Sequence, residues 1–316
     1  MPRDTRDVKR VSNKVSIFEV GPRDGLQNEA TPVSLADKIV LVNGLLDAGL
    51  RDLELGAFVR PDRVPQMADT EALYAAIRAQ KILLGRNRRV WSLVPNLKGL
   101  ERAIACGATH VAVFTAATEA FTQRNIGMSI RESLSEFKEV MALAHEHGIT
   151  VRGYVSTAFG CPFEGRVSAK KALKVIDSLA KLGVAQLSVG DTIGVATPNQ
   201  VDEVIGPALK SYGSARIAVH FHDTRGTALA NALRAYEIGV RIFDASAGGL
   251  GGCPFAPGAS GNLATEDLVY MFNGMGIKTE IDLKKLSDTS LVLARKMKRP
   301  LASRYLQTYA HAVSAF

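Results

Sequence analysis

His220 and His222 are separated by a single residue in "RIAVHFHDTRGTALAN" (216–231). The apolar run that leads into them reads as a strand, and side chains along a strand alternate between its two faces. Ile217, Val219 and Phe221 therefore share one face, and His220 and His222 share the other. Two imidazoles projecting together from a strand end can grip one metal ion. They can equally be a pair of hydrogen-bonded polar residues at a strand exit, and only their surroundings decide between the two. Other residues able to do chemistry stand at comparable places. Arg23 and Asp24 lie in "GPRDGLQNE" (21–29), Glu54 in "RDLELGAF" (51–58), Asp191 in "AQLSVGD" (185–191) and Cys253 in "GGLGGCPFAPGASGN" (248–262).

The elements that must position these groups alternate along the chain. Strands are expected at 15–20, 51–58, 90–94, 110–115, 150–157, 185–191, 216–223 and 241–247. Helices are expected at about 34–48, 66–79, 97–106 and 129–147, then from Ser168, from Thr197-Pro198, from Gly226 and from near Ala264. Eight strands alternating with eight helices predict one parallel (β/α)8 barrel over residues 1–275. A doubly wound open sheet is the alternative, but the Gly-x-Gly-x-x-Gly turn that often follows its first strand is missing. Residues 276–316, with a helix near 282–298 and a short tail, are expected to pack on the barrel. Active sites of such barrels sit at the C-terminal ends of the strands. Arg23, Asp24, Glu54, Asp191, His220 and His222 all fall at that one rim. A single charged rim residue is a solvated loop residue or a helix cap, as Asp223 is expected to be, but six on one surface form a site.

Composition narrows the function. The chain has 316 residues, 47% hydrophobic and 22% charged, enough to bury a large core. No apolar run is long enough to span a membrane. The start, "MPRDTRDVKR", reads neither as a secretory signal nor as a transit peptide. Three widely spaced cysteines, Cys106, Cys161 and Cys253, suit a reducing compartment, so a cytoplasmic location is expected. The net charge of +8 suits a polyanionic small substrate. The basic clusters at 85–89 and 295–299 lack interleaved aromatics, so no nucleic acid partner is expected.

The motifs "EVGPRDGLQNE", "VPQM", "GYVSTAFGCPFEG", "LSVGDTIG", "VHFHDTRGTALAN" and "GGLGGCPFAPGASGNLATEDLVYM" together resemble the 3-hydroxy-3-methylglutaryl-CoA lyase family of barrel metalloenzymes. The resemblance runs from about Ser16 to Asp267. It implies cleavage of a branched 3-hydroxyacyl-CoA to acetyl-CoA and acetoacetate, a reaction of leucine degradation and ketone body metabolism, by a homodimer. It also implies a divalent cation, magnesium first and manganese second, held by Asp24, His220, His222 and Asn262. A mixed nitrogen and oxygen donor set does not itself select the metal.

Such a cleavage needs a Lewis acid for the substrate hydroxyl and carboxylate oxygens, a cation where enolate charge grows on the thioester oxygen, and an acid for the enolate carbon. Arg23 is the expected cation, with Glu54 holding its guanidinium and Gln27 contacting substrate from the same loop. Asp191 is expected to orient substrate or to act with Asp24 as the hydroxyl base. Cys253 is the expected acid. Its loop holds six glycines between 248 and 261, and is long enough to serve as a lid. Cys106 and Cys161 read as small buried hydrophobes. One departure from the family stands in "ELGAFVRP": Ala57 replaces the usual serine, which leaves another 3-hydroxyacyl-CoA, such as citramalyl-CoA, as an alternative substrate. A condensing transferase of the same superfamily is a further alternative, but it would lack the cysteine loop. A non-catalytic scaffold would have no use for Arg23 and Cys253 at one site.

Overall fold

The computed structural model describes residues 13–82, 87–252 and 261–314. The expected strands form as β1 (Ser16–Glu19), β2 (Asp52–Ala57), β3 (Arg89–Leu93), β4 (His110–Ala116) and β5 (Thr150–Ser156). After a short hairpin, β6 (Gly160–Cys161) and β7 (Gly165–Arg166), come β8 (Gln186–Asp191), β9 (Ile217–Phe221) and β10 (Ile242–Ala245). All but the hairpin strands pair in parallel and close into a barrel in the order β1-β10-β9-β8-β5-β4-β3-β2. The fold is the (β/α)8 barrel.

The helices start where the sequence supplies caps. Ser34 accepts from Asp37 N ahead of α1 (Leu35–Asp47), and Asn96 accepts from Gly99 N ahead of α3 (Leu97–Ala105). Ser129 and Glu132 form a reciprocal capping box that opens α5 (Ile130–Glu146). Ser168 opens α6 (Ala169–Lys181), and Thr197-Pro198 opens α7 (Pro198–Tyr212). The second helix, α2 (Thr70–Ala79), begins later than the sequence suggests. Thr70 Oγ1 bonds Met67 O, and residues 65–67 form a separate 3-10 turn. Likewise α8 (Ala228–Glu237) begins two residues after Gly226, with Thr227 at its N-cap and the Asp223 carboxylate accepting from Ala228 N at 3.0 Å.

Among the described residues, α4 (Glu119–Ile126), the β6–β7 hairpin and a π-helical turn at Gly21–Gly25 in place of a loop were not expected. At the C-terminal end, α9 (Thr265–Gly274) and α10 (Leu283–Met297) are followed by α11 (Arg304–Ser314) where a short tail was expected. Tyr309 on α11 donates to Asp288 on α10 at 2.7 Å, and Ser290 on α10 donates to Glu266 on α9. These contacts tie the two last helices to the barrel wall.

Apolar side chains such as Leu41, Leu45, Val111, Val155, Ile176 and Leu187 fill the shell between strands and helices. Each fully buried Leu, Ile or Val contributes roughly 1.5–3 kcal/mol there. Among the described residues, Phe18, Val20 and Trp91 form a second, smaller apolar cluster. Polar groups cluster beside it. Asp52 receives both Arg89 and Trp91 near the N-terminal end, and Arg152, Ser188 and Asp244 meet in the middle.

Candidate active site

The π-helical turn aims the first functional pair. Its start is fixed by Glu19, whose Oε1 accepts from Gly21 N and from Ala247 N, each at 2.8 Å, and whose Oε2 accepts from Thr265 at 2.7 Å. Burial pushes the Glu19 carboxyl up to about 7, against these bonds. One buried side chain thus ties the first loop to the base of the glycine-rich loop, and Arg23 and Asp24 project over the barrel mouth. Within β2 the pairing with β3 shifts between Glu54 and Gly56, an irregularity of the bulge type. Glu54 points inward there, where Arg23 Nε donates to its Oε2 at 2.6 Å. Arg23 Nη1 donates to Asp24 Oδ1, also at 2.6 Å. Burial opposes the Arg23 charge, but the Glu54 and Asp24 carboxylates outweigh it and hold the guanidinium above its ordinary value. Burial likewise opposes the Asp24 charge, and Arg23, then His220 and His222, hold its carboxyl well below the usual range.

The histidines arrive from β9 on one face, as the alternation requires. His220 Nε2 lies 3.2 Å from His222 Nε2 and 3.9 Å from Asp24 Oδ2. Asp24, His220 and His222 each offer a ligand atom, all within 4.8 Å of one another, and so form a group able to hold a metal ion. Asn262 joins them. It pairs with His222 in a β-bridge, and its Nδ2 donates to Asp24 Oδ2 at 2.8 Å and to Leu250 O at 3.1 Å. That leaves Asn262 Oδ1 buried with no partner among the described residues. Two imidazole nitrogens facing each other cannot both carry hydrogens, and a buried amide oxygen without a donor costs stability. A cation would resolve both, so the four residues fit one. Burial holds the His222 imidazole down to about 4, and His220 beside it adds to the shift, so the ring is neutral at physiological pH and has a lone pair to offer a cation.

The glycine-rich loop closes on this group at its base. Gly251 has φ of +119°, and a Cβ there would lie 2.6 Å from Asn262 Nδ2. A Cβ on Gly261 would fall 1.9 Å from Gly251 O. Only glycine permits this crossing. Cys253 lies outside the described residues. Cys161 is buried in β6, with its sulfur accepting from Thr118, and Cys106 at the end of α3 is partly buried and packs against the core.

Asp191 ends β8 as expected, but its two oxygens accept from Val195 N at 3.0 Å and Ala196 N at 2.9 Å. Burial raises its carboxyl above the ordinary value. The structure engages it in holding the β8–α7 loop. Arg23, Asp24, Gln27, His220 and His222 line one cavity of about 1110 Å³, whose mouth also carries Arg63, Lys98 and Arg124. Ala57 is buried in β2 and is not on the cavity wall. The sequence reading missed the layer beneath the site, formed by Arg152, Tyr154, Ser188 and Asp244. Its signal was a charged residue inside an apolar strand, in "TVRGYVST" and in "RIFDASA".

Comparison with known proteins agrees with this geometry. The HMGL-like family model matches residues 14–293. The chain is 48% identical to the mitochondrial hydroxymethylglutaryl-CoA lyase of Gallus gallus over 294 residues, 93% of this chain and 97% of that protein. The crystal structure of hydroxymethylglutaryl-CoA lyase from Pseudomonas aeruginosa superposes with a TM-score of 0.91 at 43% identity, covering 96% of this chain and 99% of that one. An HMG-CoA lyase from Acinetobacter baumannii, solved with coenzyme A and 3-methylmalate, matches with a TM-score of 0.88 at 38% identity, covering 93% and 95%. With its barrel, its rim residues and its full-length relatives in agreement, the chain belongs to the HMGL-like family.

Proposed function

We propose that the protein is a carbon–carbon lyase that cleaves 3-hydroxy-3-methylglutaryl-CoA to acetyl-CoA and acetoacetate. The observation that carries this reading is the adjacency of Arg23 and Asp24. A guanidinium locked by Glu54 stands directly beside the Asp24–His220–His222–Asn262 group, at the inner end of an acyl-CoA-sized cavity. A divalent cation held by those four residues, magnesium or manganese, would supply Lewis-acid activation of the substrate hydroxyl and carboxylate oxygens.

The chain's own residues account for the rest. Arg23 faces the thioester oxygen and offsets the negative charge that grows there as the C2–C3 bond breaks. Because Glu54 and Asp24 fix its guanidinium before substrate arrives, no reorganisation accompanies the reaction. Asp24 is the carboxylate at the reacting end and takes up the proton that the C3 hydroxyl loses as the C2–C3 bond breaks, while Asp191 positions the β8–α7 loop. Gln27 stands on the cavity wall beside Arg23. Cys253, carried by the glycine-rich loop, returns a proton to the enolate carbon. Arg63, Lys98 and Arg124 at the mouth suit the phosphates of coenzyme A.

Ala57, which stands where the family usually has serine, lies off the cavity wall, so this change gives no ground for preferring citramalyl-CoA as the substrate. Incubation with each thioester and magnesium, followed by measurement of acetyl-CoA release, separates the two. Faster release from citramalyl-CoA would replace the substrate and keep the reaction.

A further inference from the structure

Beneath the histidines lies a buried ionic chain that the chemistry above does not use. Asp244 on β10 is 2% exposed, and Arg152 on β5 is fully buried. Asp244 Oδ1 accepts from Arg152 Nη2 at 2.5 Å, and Oδ2 accepts from Ser188 Oγ at 2.8 Å. The same Oδ2 stands 3.3 Å from Nδ1 of His220. Arg152 is itself fixed, with its guanidinium carbon 3.8 Å from the centre of the Phe18 ring and its Nη1 donating to the Tyr154 hydroxyl at 3.4 Å.

A carboxylate paired with a buried arginine is ionised and can only accept hydrogen bonds. The His220 nitrogen that faces it must then carry the hydrogen. In the neutral ring this leaves a lone pair on Nε2, the atom that faces His222 Nε2 and Asp24. His222 has no corresponding guide, since its Nδ1 is buried without a partner among the described residues.

We infer that Asp244, clamped by Arg152 and Ser188, is a positioning residue that fixes His220 in the Nδ1–H tautomer and so presents Nε2 as a ligand atom. The inference rests on reading Asp24, His220 and His222 as a cation site.

Asp244→Asn tests it with little change of shape. Arg152 only donates, so the new amide turns its oxygen toward Arg152 and its NH2 toward His220 Nδ1. The ring hydrogen is thereby driven to Nε2. The tautomer is read by 15N NMR of histidine-labelled, metal-free protein at about pH 9, where free imidazole is neutral, with His220 assigned by comparison with His222→Ala. Manganese affinity is measured in parallel by titration. The expected result is Nδ1–H at His220 in the wild type and Nε2–H in Asp244→Asn, with manganese affinity lower by about 10–100-fold, the usual effect of losing the partner of a ligating histidine. Ser188→Ala, which keeps the carboxylate, should keep Nδ1–H. Nε2–H at His220 in the wild type, or wild-type manganese affinity in Asp244→Asn, overturns the inference. If Asp244→Asn does not fold, the wild-type and Ser188→Ala tautomers still decide. Because the tautomer is read without metal, a wild type with Nδ1–H that binds no manganese refutes the cation site and not the role of Asp244.

Discussion

Arg23 rests on Glu54 through two atoms at once: Nε and Nη2 each lie 2.6 Å from Oε2 of the same carboxylate. Glu54 is completely buried, so this contact is shielded from water and its geometry is held by the strand beneath. The remaining edge of the guanidinium meets Asp24 and the cavity.

Arg23→Gln is expected to lower kcat by at least about 10²–10³ while changing KM little, because its charge acts on the transition state more than on bound substrate. Glu54→Gln should lower kcat less, since the guanidinium stays but loses its anchor. Steady-state kinetics of both variants check the order. Near-normal turnover in Arg23→Gln would remove it from the reaction.

Chelation is expected to abolish activity, and magnesium or manganese to restore it. His220→Ala and His222→Ala should each bind manganese more weakly, by about 10-fold or more, and stay folded by circular dichroism. A chelated, metal-free sample with full activity would contradict the donor set.

Thiol reagents are expected to inactivate the folded protein through Cys253. Cys161 is shielded in β6, and Cys106, partly buried at the end of α3, is not among the residues lining the cavity. Substrate should protect, and Cys253→Ala should be slow yet bind manganese normally. Cys253→Ser should rescue little, because a hydroxyl is a far weaker acid than a thiol of pKa about 8.5. Mass-spectrometric mapping alongside turnover tests this, and inactivation that tracks Cys106 would count against it.

Stability should fall as pH rises through neutrality. Burial pushes Glu19 to about 7 and Glu266 to about 8, from 4.5 in the unfolded chain. Above 4.5 the unfolded chain releases these protons while the fold retains them, so the fold binds more protons and loses stability with rising pH. The loss ends once both folded groups have ionised, above about pH 8. Between about pH 6.5 and 8.5 Glu266 alone should account for about 2 kcal/mol. Urea denaturation of metal-free protein across that range should show a shallower fall in Glu266→Gln, and an equal slope would refute the assignment.

The barrel was legible because each strand carries an apolar run and most helices open on a serine, threonine or asparagine cap. The rim residues were legible because a barrel places every strand end on one surface. What escaped were features made by pairing rather than by local pattern. The α4 helix spans only Glu119–Ile126, too short for a clear apolar stripe, and the β6–β7 hairpin has two residues per strand. Arg152 and Asp244 are 92 residues apart and meet only once the barrel has closed. Asp191 was placed correctly at its strand end, yet the direction of its carboxylate follows from the fold of the loop after it.

The most direct measurement is the fate of 3-hydroxy-3-methylglutaryl-CoA incubated with purified protein and magnesium or manganese. The expected result is acetyl-CoA and acetoacetate in equal amounts, formed only when the cation is present and lost in Arg23→Gln. Folded protein that leaves the thioester intact with either cation, or that instead condenses acetyl-CoA with a 2-oxo acid, would contradict the assignment as a lyase.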